Sequence, residues 1–297
     1  MLDGVLLLWF ILTGLSVIFV IWDSISNTPV SWVQKLAWIL VTAYTGPIGL
    51  FLFLMACRNP GPGLHDAFTR PHWKQAVNSE MHCLAGDATG IILAAFVVSY
   101  FGLPNGIDLI FEYLSAFVVG LFIFQALMMK GMYGDYATAV RKTFFAETVS
   151  MNMVMVGMIP TMVILMHHLP YGDDPLHPLF WFIMGLASIA GGITAYPINS
   201  WMVRNKLKHG CMTLPEPGQP APDIGHKSME MAGQGEGMAM PAGGKMESMA
   251  MGGGEGHAMQ MGSLPLPKML AIIALTFACL PAAGWITSAF FAPITFR

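Results

Sequence analysis

The chain has 297 residues, 55% hydrophobic and only 10% charged, with a mean hydropathy of +0.60 and a net charge of −3. Soluble domains carry about 25% charged residues, so this composition belongs in a bilayer, and it offers no basic surface for a nucleic-acid partner. Four cysteines, Cys57, Cys83, Cys211 and Cys279, lie far apart with no C-x-x-C pair, which leaves neither a disulfide framework nor a legible zinc motif.

Residues 4–22 form an apolar run long enough to cross a membrane, and no small-residue cleavage site follows before Asp23, so an uncleaved first span is expected. A second span is expected over 36–55, with Gly46-Pro47 inside it as a kink. The loop 57–74 is polar, holding Arg58, His65, Asp66, Arg70, His72 and Lys74, and is broken by Asn59 to Gly63. The third span, 75–101, starts unusually polar, with Glu80, His82, Cys83 and Asp87 in its first half. The fourth, 107–129, carries Asp108 and Glu112 near its start, where acids suit the helix dipole.

The fifth span, 147–168, follows a basic connection and contains Pro160. The sixth, 179–203, contains Gly191-Gly192 and Tyr196-Pro197, so a bend is expected. From 204 to 263 hydropathy collapses into Gly, Met, Pro, Ala and Glu with no helical period, which reads as a disordered loop. A seventh span, 268–290, closes the chain. With seven spans, twelve of the fourteen Lys and Arg residues fall on one side and only Lys35 and Arg297 on the other. The positive-inside rule then puts the N-terminus and the Met-rich loop in the cytoplasm and the C-terminus outside.

Methionine is the compositional outlier, 25 of 297 residues. On the fifth span Met151, Met155, Met158, Met162 and Met166 recur at steps of three and four, so they share about a quarter-turn of one helix face. Glu147 opens that stripe, and His167 and His168 close it. A thioether binds Cu(I) without deprotonation, so such a column can pass a soft cation through an apolar span. The same spacing also serves plain helix packing.

The loop holds four M-x-M pairs: Met229 with Met231, Met238 with Met240, Met249 with Met251, and Met259 with Met261. His257 lies among them. Glycine and alanine spacers let two or three thioethers close around one ion. His209, Cys211 and Met212 place three soft or borderline donors where the sixth span meets this loop, although Lys206, Lys208, His209 and Gly210 also read as a helix stop. On the third span Glu80, Cys83 and Asp87 fall within about 60° of one another, with His82 pointing away, and acids inside a span face a cavity, a partner charge or a transported ion. His167, His168, Asp173, Asp174 and His177 read together as a vestibule at the other end of the Met stripe.

Several stretches resemble a bacterial membrane family catalogued as domain of unknown function 4396. They are Tyr44 to Gly49, Met81 to Asp87, Ser150 to Asn152 with Gly157 to Pro160, Tyr196 to Trp201, and Leu207 to Gly210. The resemblance covers nearly all of residues 1–214 and implies an integral membrane protein of the bacterial inner (plasma) membrane. It carries no recorded chemistry. Members commonly hold a methionine where this chain has Cys211, and the Met-rich insert varies among them.

The sequence thus leads to an all-α polytopic membrane helix bundle of about seven spans: a six-helix membrane domain over 1–209, the Met/His/Gly-rich loop over 210–263, and a last helix with a short tail over 264–297. The expected function is handling of copper as Cu(I), by transport or by delivery to a copper chaperone or cuproenzyme. No nucleotide-binding loop or catalytic domain is visible, so an enzyme is not indicated, and Asp87 and Glu80 are the proton-carrying candidates. The alternatives are a membrane redox or cofactor-assembly protein, for which His82 is the deep histidine, and a scaffold whose methionines only pack.

Overall fold

The structure, a computed structural model, describes residues 2–211, 213–214, 262 and 264–296. Ten of the expected metal ligands lie outside the described residues: Met212, Met229, Met231, Met238, Met240, Met249, Met251, His257, Met259 and Met261. In chain order the helices are α1 (Leu2–Ser26), α2 (Trp32–Thr45), α3 (Pro47–Ala56), α4 (His65–Thr69), α5 (His72–Val98), α6 (Asn105–Val118), α7 (Ala126–Tyr133), α8 (Tyr136–His168), α9 (Pro178–Arg204) and α10 (Leu266–Phe290). A π-helical segment, Val119–Gln125, joins α6 to α7 in one continuous rod. Among the described residues six rods are long and apolar enough to cross a membrane: α1, α5, Asn105–Gly131, α8, α9 and α10. The bundle of membrane helices is as the hydropathy implies.

The expected second span is different. Gly46 has φ +60° and ψ −132°, and Pro47 starts a new helix there, so the chain reverses instead of kinking. Gly49 then lies directly against Thr42, whose Cα would be 2.7 Å from a Cβ on that glycine, and the rings of Trp38 and Phe53 meet edge to face. The Asn78 side chain ties both ends together, accepting from Gln34 and Trp38 and donating to the Ala56 carbonyl. Helices α2 and α3 therefore form a hairpin that enters and leaves at one end of the bundle. Hydropathy registers the same apolar run either way and cannot tell a hairpin from a crossing; the reversal is a property of one glycine's backbone.

This hairpin shifts every later assignment of sides. The start of α1 packs against the start of α9, with Leu6 beside Leu179 and Ile183 and with Trp9 on Phe182. The segment after α10 binds Asn105 at the start of α6, through the Pro293 carbonyl and the Thr295 amide and hydroxyl. Both ends of the described chain thus sit at one end of the bundle, where α8 ends, whereas a seven-span count would separate them. The opposite end, called here the loop end, gathers the residues after α1, around the hairpin and after α9. Asp23 pairs with Arg58 at 3.2 Å, His72 Nε2 meets the Ser200 hydroxyl at 3.0 Å, and the Leu214 amide donates to the Pro29 carbonyl.

Close helix approach holds the bundle together. A Cβ on Gly86 of α5 would lie 2.6 Å from the Gly120 Cα, and one on Gly90 would lie 2.5 Å from the Ala116 Cα. Two small residues four apart on each rod let backbones touch, which substitutes for the hydrophobic driving force that lipid removes. Helix α8 runs on through the basic connection expected before it, because Asp135 caps it by accepting from the Thr138 amide at 2.8 Å. Compartment reporters fused before α1 and after α10 should give the same signal; opposite signals would refute the hairpin.

Candidate functional site

Along α8 the five stripe methionines face inward, and four of them, Met151, Met155, Met158 and Met162, are buried in the main core with Met166 packed on its edge. The column leans on α9, where Gly191 gives way to Met158: a Cβ there would lie 2.7 Å from the Met158 side chain. At its outer end the column opens into a cavity of about 640 Å3 whose lining includes Met162, Met166, His167, Asp173 and Asp174. Asp108 and Glu112 line it too. Sequence reading gave these two acids to the helix dipole; the structure turns both toward the thioethers, and Asp108 Oδ1 is buried without a hydrogen-bond partner. His168 is exposed and stacks edge to face on His167 outside the cavity wall, while His177 caps α9 by accepting from the Leu179 amide.

At its inner end the column meets a buried polar centre. Glu147, one turn before Met151, accepts a hydrogen bond from the Cys83 thiol at 2.8 Å. The Lys208 ammonium donates to Cys83 Sγ at 2.9 Å, to Asn199 Oδ1 at 2.6 Å and to the Ser150 hydroxyl at 3.2 Å. Both oxygens of Asp87 and the second oxygen of Glu147 are buried without partners. These two carboxyls converge on Gly120, since a Cβ there would lie against Glu147 Oε1 and 2.9 Å from Asp87 Oδ1. Gly120 belongs to the π-helical segment, a device that recurs where a helix must open toward a site. A carboxyl pair in that setting needs a proton or a cation between its members.

The sequence proposed Cys83 and Asp87 together, and the structure brings both to this centre. It adds Glu147, Ser150, Asn199 and Lys208. Lys208 was hidden because it reads as a helix-stop charge. Helix α9 in fact ends at Arg204, and Lys206 takes a left-handed backbone at φ +57°. The turn sends Lys208 back between α5, α8 and α9, where it is only 3% exposed. Glu80 lies apart, on the wall of a second cavity of about 500 Å3 bounded by the hairpin, α5 and α9.

Toward the loop end, His82 and His209 each have both ring nitrogens buried and unpartnered. Burial, and then the neighbouring Lys208 charge, pushes His209 down from 6.5 to about 4. Beyond them three segments meet. One ligand atom each from Cys57, His65 and Cys211 lies within 4.8 Å of the others. Cys57 follows α3, His65 opens α4 and Cys211 follows α9. His65 Nε2 donates to the Cys57 carbonyl at 2.8 Å, and Nδ1 meets the Thr213 hydroxyl at 2.8 Å. Burial raises the Cys57 thiol well above its ordinary value and lowers His65, so both side chains are neutral. Of this set the sequence named only Cys211. Cys57 and His65 are eight residues apart in a breaker-rich loop, and no periodic pattern marks them.

Residues 72–208 match the family model described as domain of unknown function (DUF4396), a match that takes in helices α5 to α9 and the returning Lys208. No curated protein and no solved structure matches the chain.

His209 gives the site a pH signature. Its folded value lies below its unfolded one, so the unfolded chain binds the proton first and stability falls as pH drops from about 6.5 toward about 4. In detergent the His209→Gln variant should lose less thermal stability across that window than the parent. Equal slopes would place His209 in water and remove it from the buried centre.

Proposed function

We propose that this chain, built on a membrane-embedded DUF4396 domain, moves Cu(I) between the two sides of the membrane by ligand exchange along α8. One observation carries the reading: the buried column Met151, Met155, Met158 and Met162 leads into a cavity walled by Met162, Met166, His167 and four carboxylic acids. Acids raise the local concentration of any cation, and the thioethers and imidazole then select a soft one. From Met162 inward each step is one helical turn to the next sulfur, so the ion need never be bare in an apolar span.

Every described Lys and Arg except Lys208, which turns back into the bundle, falls at the loop end, from Lys35 in the hairpin to Lys268 in α10. By the positive-inside rule that end is cytoplasmic, and the cavity and the starts of α1 and α6 face outward. In this orientation copper enters through the cavity and leaves beside His82 and His209. The Met-rich segment, on its sequence alone, is the cytoplasmic acceptor, and a copper chaperone or cuproenzyme would collect from it. With no nucleotide-binding loop in the chain, coupling falls to protons, and the pair Asp87 and Glu147 suits that role because neither carboxyl is in an ion pair among the described residues, the nearby Lys208 ammonium being bonded to neutral groups instead.

A packing role is the second reading, supported by the presence of the same four methionines in the main core. Leucine separates the two, since it fills nearly the volume of methionine at a cost under about 1.5 kcal/mol per site but offers no sulfur. In membrane vesicles the variant with Met151, Met155, Met158 and Met162 changed to Leu should fold as the parent does, yet take up Cu(I) on the order of tenfold more slowly. Full uptake by that variant would leave the methionines as packing alone.

A further inference from the structure

We propose that Cys57, His65 and Cys211 form a Cu(I)-binding site at the loop end, distinct from the methionine column and placed to receive the ion as it leaves the bundle. This inference rests on the transport reading for its role, while the binding site stands on its own geometry. Three separate segments deliver the ligands: the end of the hairpin, the start of α4 and the stretch after α9. Nothing in secondary structure requires that two thiols and an imidazole meet there. Their ligand atoms nevertheless fall within 4.8 Å of one another. Sulfur ligands sit about 2.3 Å from a d10 ion, so two of them are separated by about 4.6 Å when linear and about 4.0 Å when trigonal. The group closes on an ion by shifts smaller than an ångström.

Its surroundings fit an exchange site. Cys57 and His65 are fully buried, whereas Cys211 is half-buried, so one ligand stays open to a partner. Both cysteines are free thiols. The His65 ring is oriented by the ligand segments themselves, through the Cys57 carbonyl and the Thr213 hydroxyl, and the ion takes over one of those two positions. Among the described residues no fourth His, Cys, Asp or Glu joins the group. Three soft donors suit trigonal Cu(I), while Zn2+ in a closed site asks for four. Gly210 packs its backbone on Gln75 of α5, which fixes Cys211 relative to Lys208 and the buried centre.

The test titrates the reduced full-length protein in detergent with Cu(I) against a chromophoric Cu(I) chelator. The most tightly held equivalent should be the same in the parent and in the four-leucine α8 variant, and should weaken at least 10–100-fold in Cys57→Ser and in Cys211→Ser. Cys279→Ser should keep it. Because Cys211 is half-buried, its serine variant stays informative even if the Cys57 change disturbs folding. Unchanged binding in Cys211→Ser would overturn the site, as would preferential uptake of Zn2+ or a Cys57–Cys211 disulfide whose reduced form binds no copper. If this equivalent persists while the four-leucine variant transports normally, only the transport reading falls. The converse result removes only this site.

Discussion

A lysine ammonium is held inside a membrane bundle, and the rest of the arrangement follows from how that is made tolerable. Lys208 reaches back from beyond the end of α9 and donates to Asn199 of α9, Ser150 of α8 and Cys83 of α5. Each donation lowers the cost of taking a charge out of water, and together they pin three helices around one point. The partners are neutral groups, and the Glu147 carboxyl is joined to Lys208 by hydrogen bonds through the Cys83 thiol. The centre is therefore a chain of hydrogen bonds rather than a closed ion pair. That leaves the Asp87 and Glu147 carboxyls beside Gly120 free to take up a proton or a cation.

The same constraint organises the molecule along its length. In lipid, polar side chains gather where they can satisfy one another, and here they gather in three places: the acidic cavity at one end, the Lys208 centre, and the thiol and imidazole group at the other. The methionine column spans the distance between the first two. Small residues carry the close crossings, with Gly86 and Gly90 against Gly120 and Ala116, so the rods pack without further polar cost.

Much of this was legible in the residues, and the exceptions have physical causes. The long apolar rods, the inward methionine face and the pairing of Cys83 with Asp87 follow from hydropathy and helical period, which are local properties. The α2–α3 hairpin does not, because it turns on the backbone of Gly46, and that one residue moves the start of α1 to the same end as the close of α10. Lys208 and Asp108 each carried a respectable local explanation as helix-end charges, and tertiary packing overrode both. Cys57 and His65 had no pattern to betray them, since a cluster built from three loops has no period.

The central claim is that sulfur on α8 binds the ion. Its most direct test is X-ray absorption at the copper edge, on Cu(I)-loaded protein lacking residues 215–261 and carrying Cys57→Ser and Cys211→Ser. The account predicts retained copper with thioether sulfur neighbours at about 2.3 Å, lost when the α8 methionines become leucine. Copper bound only by nitrogen or oxygen, or none retained, would contradict it.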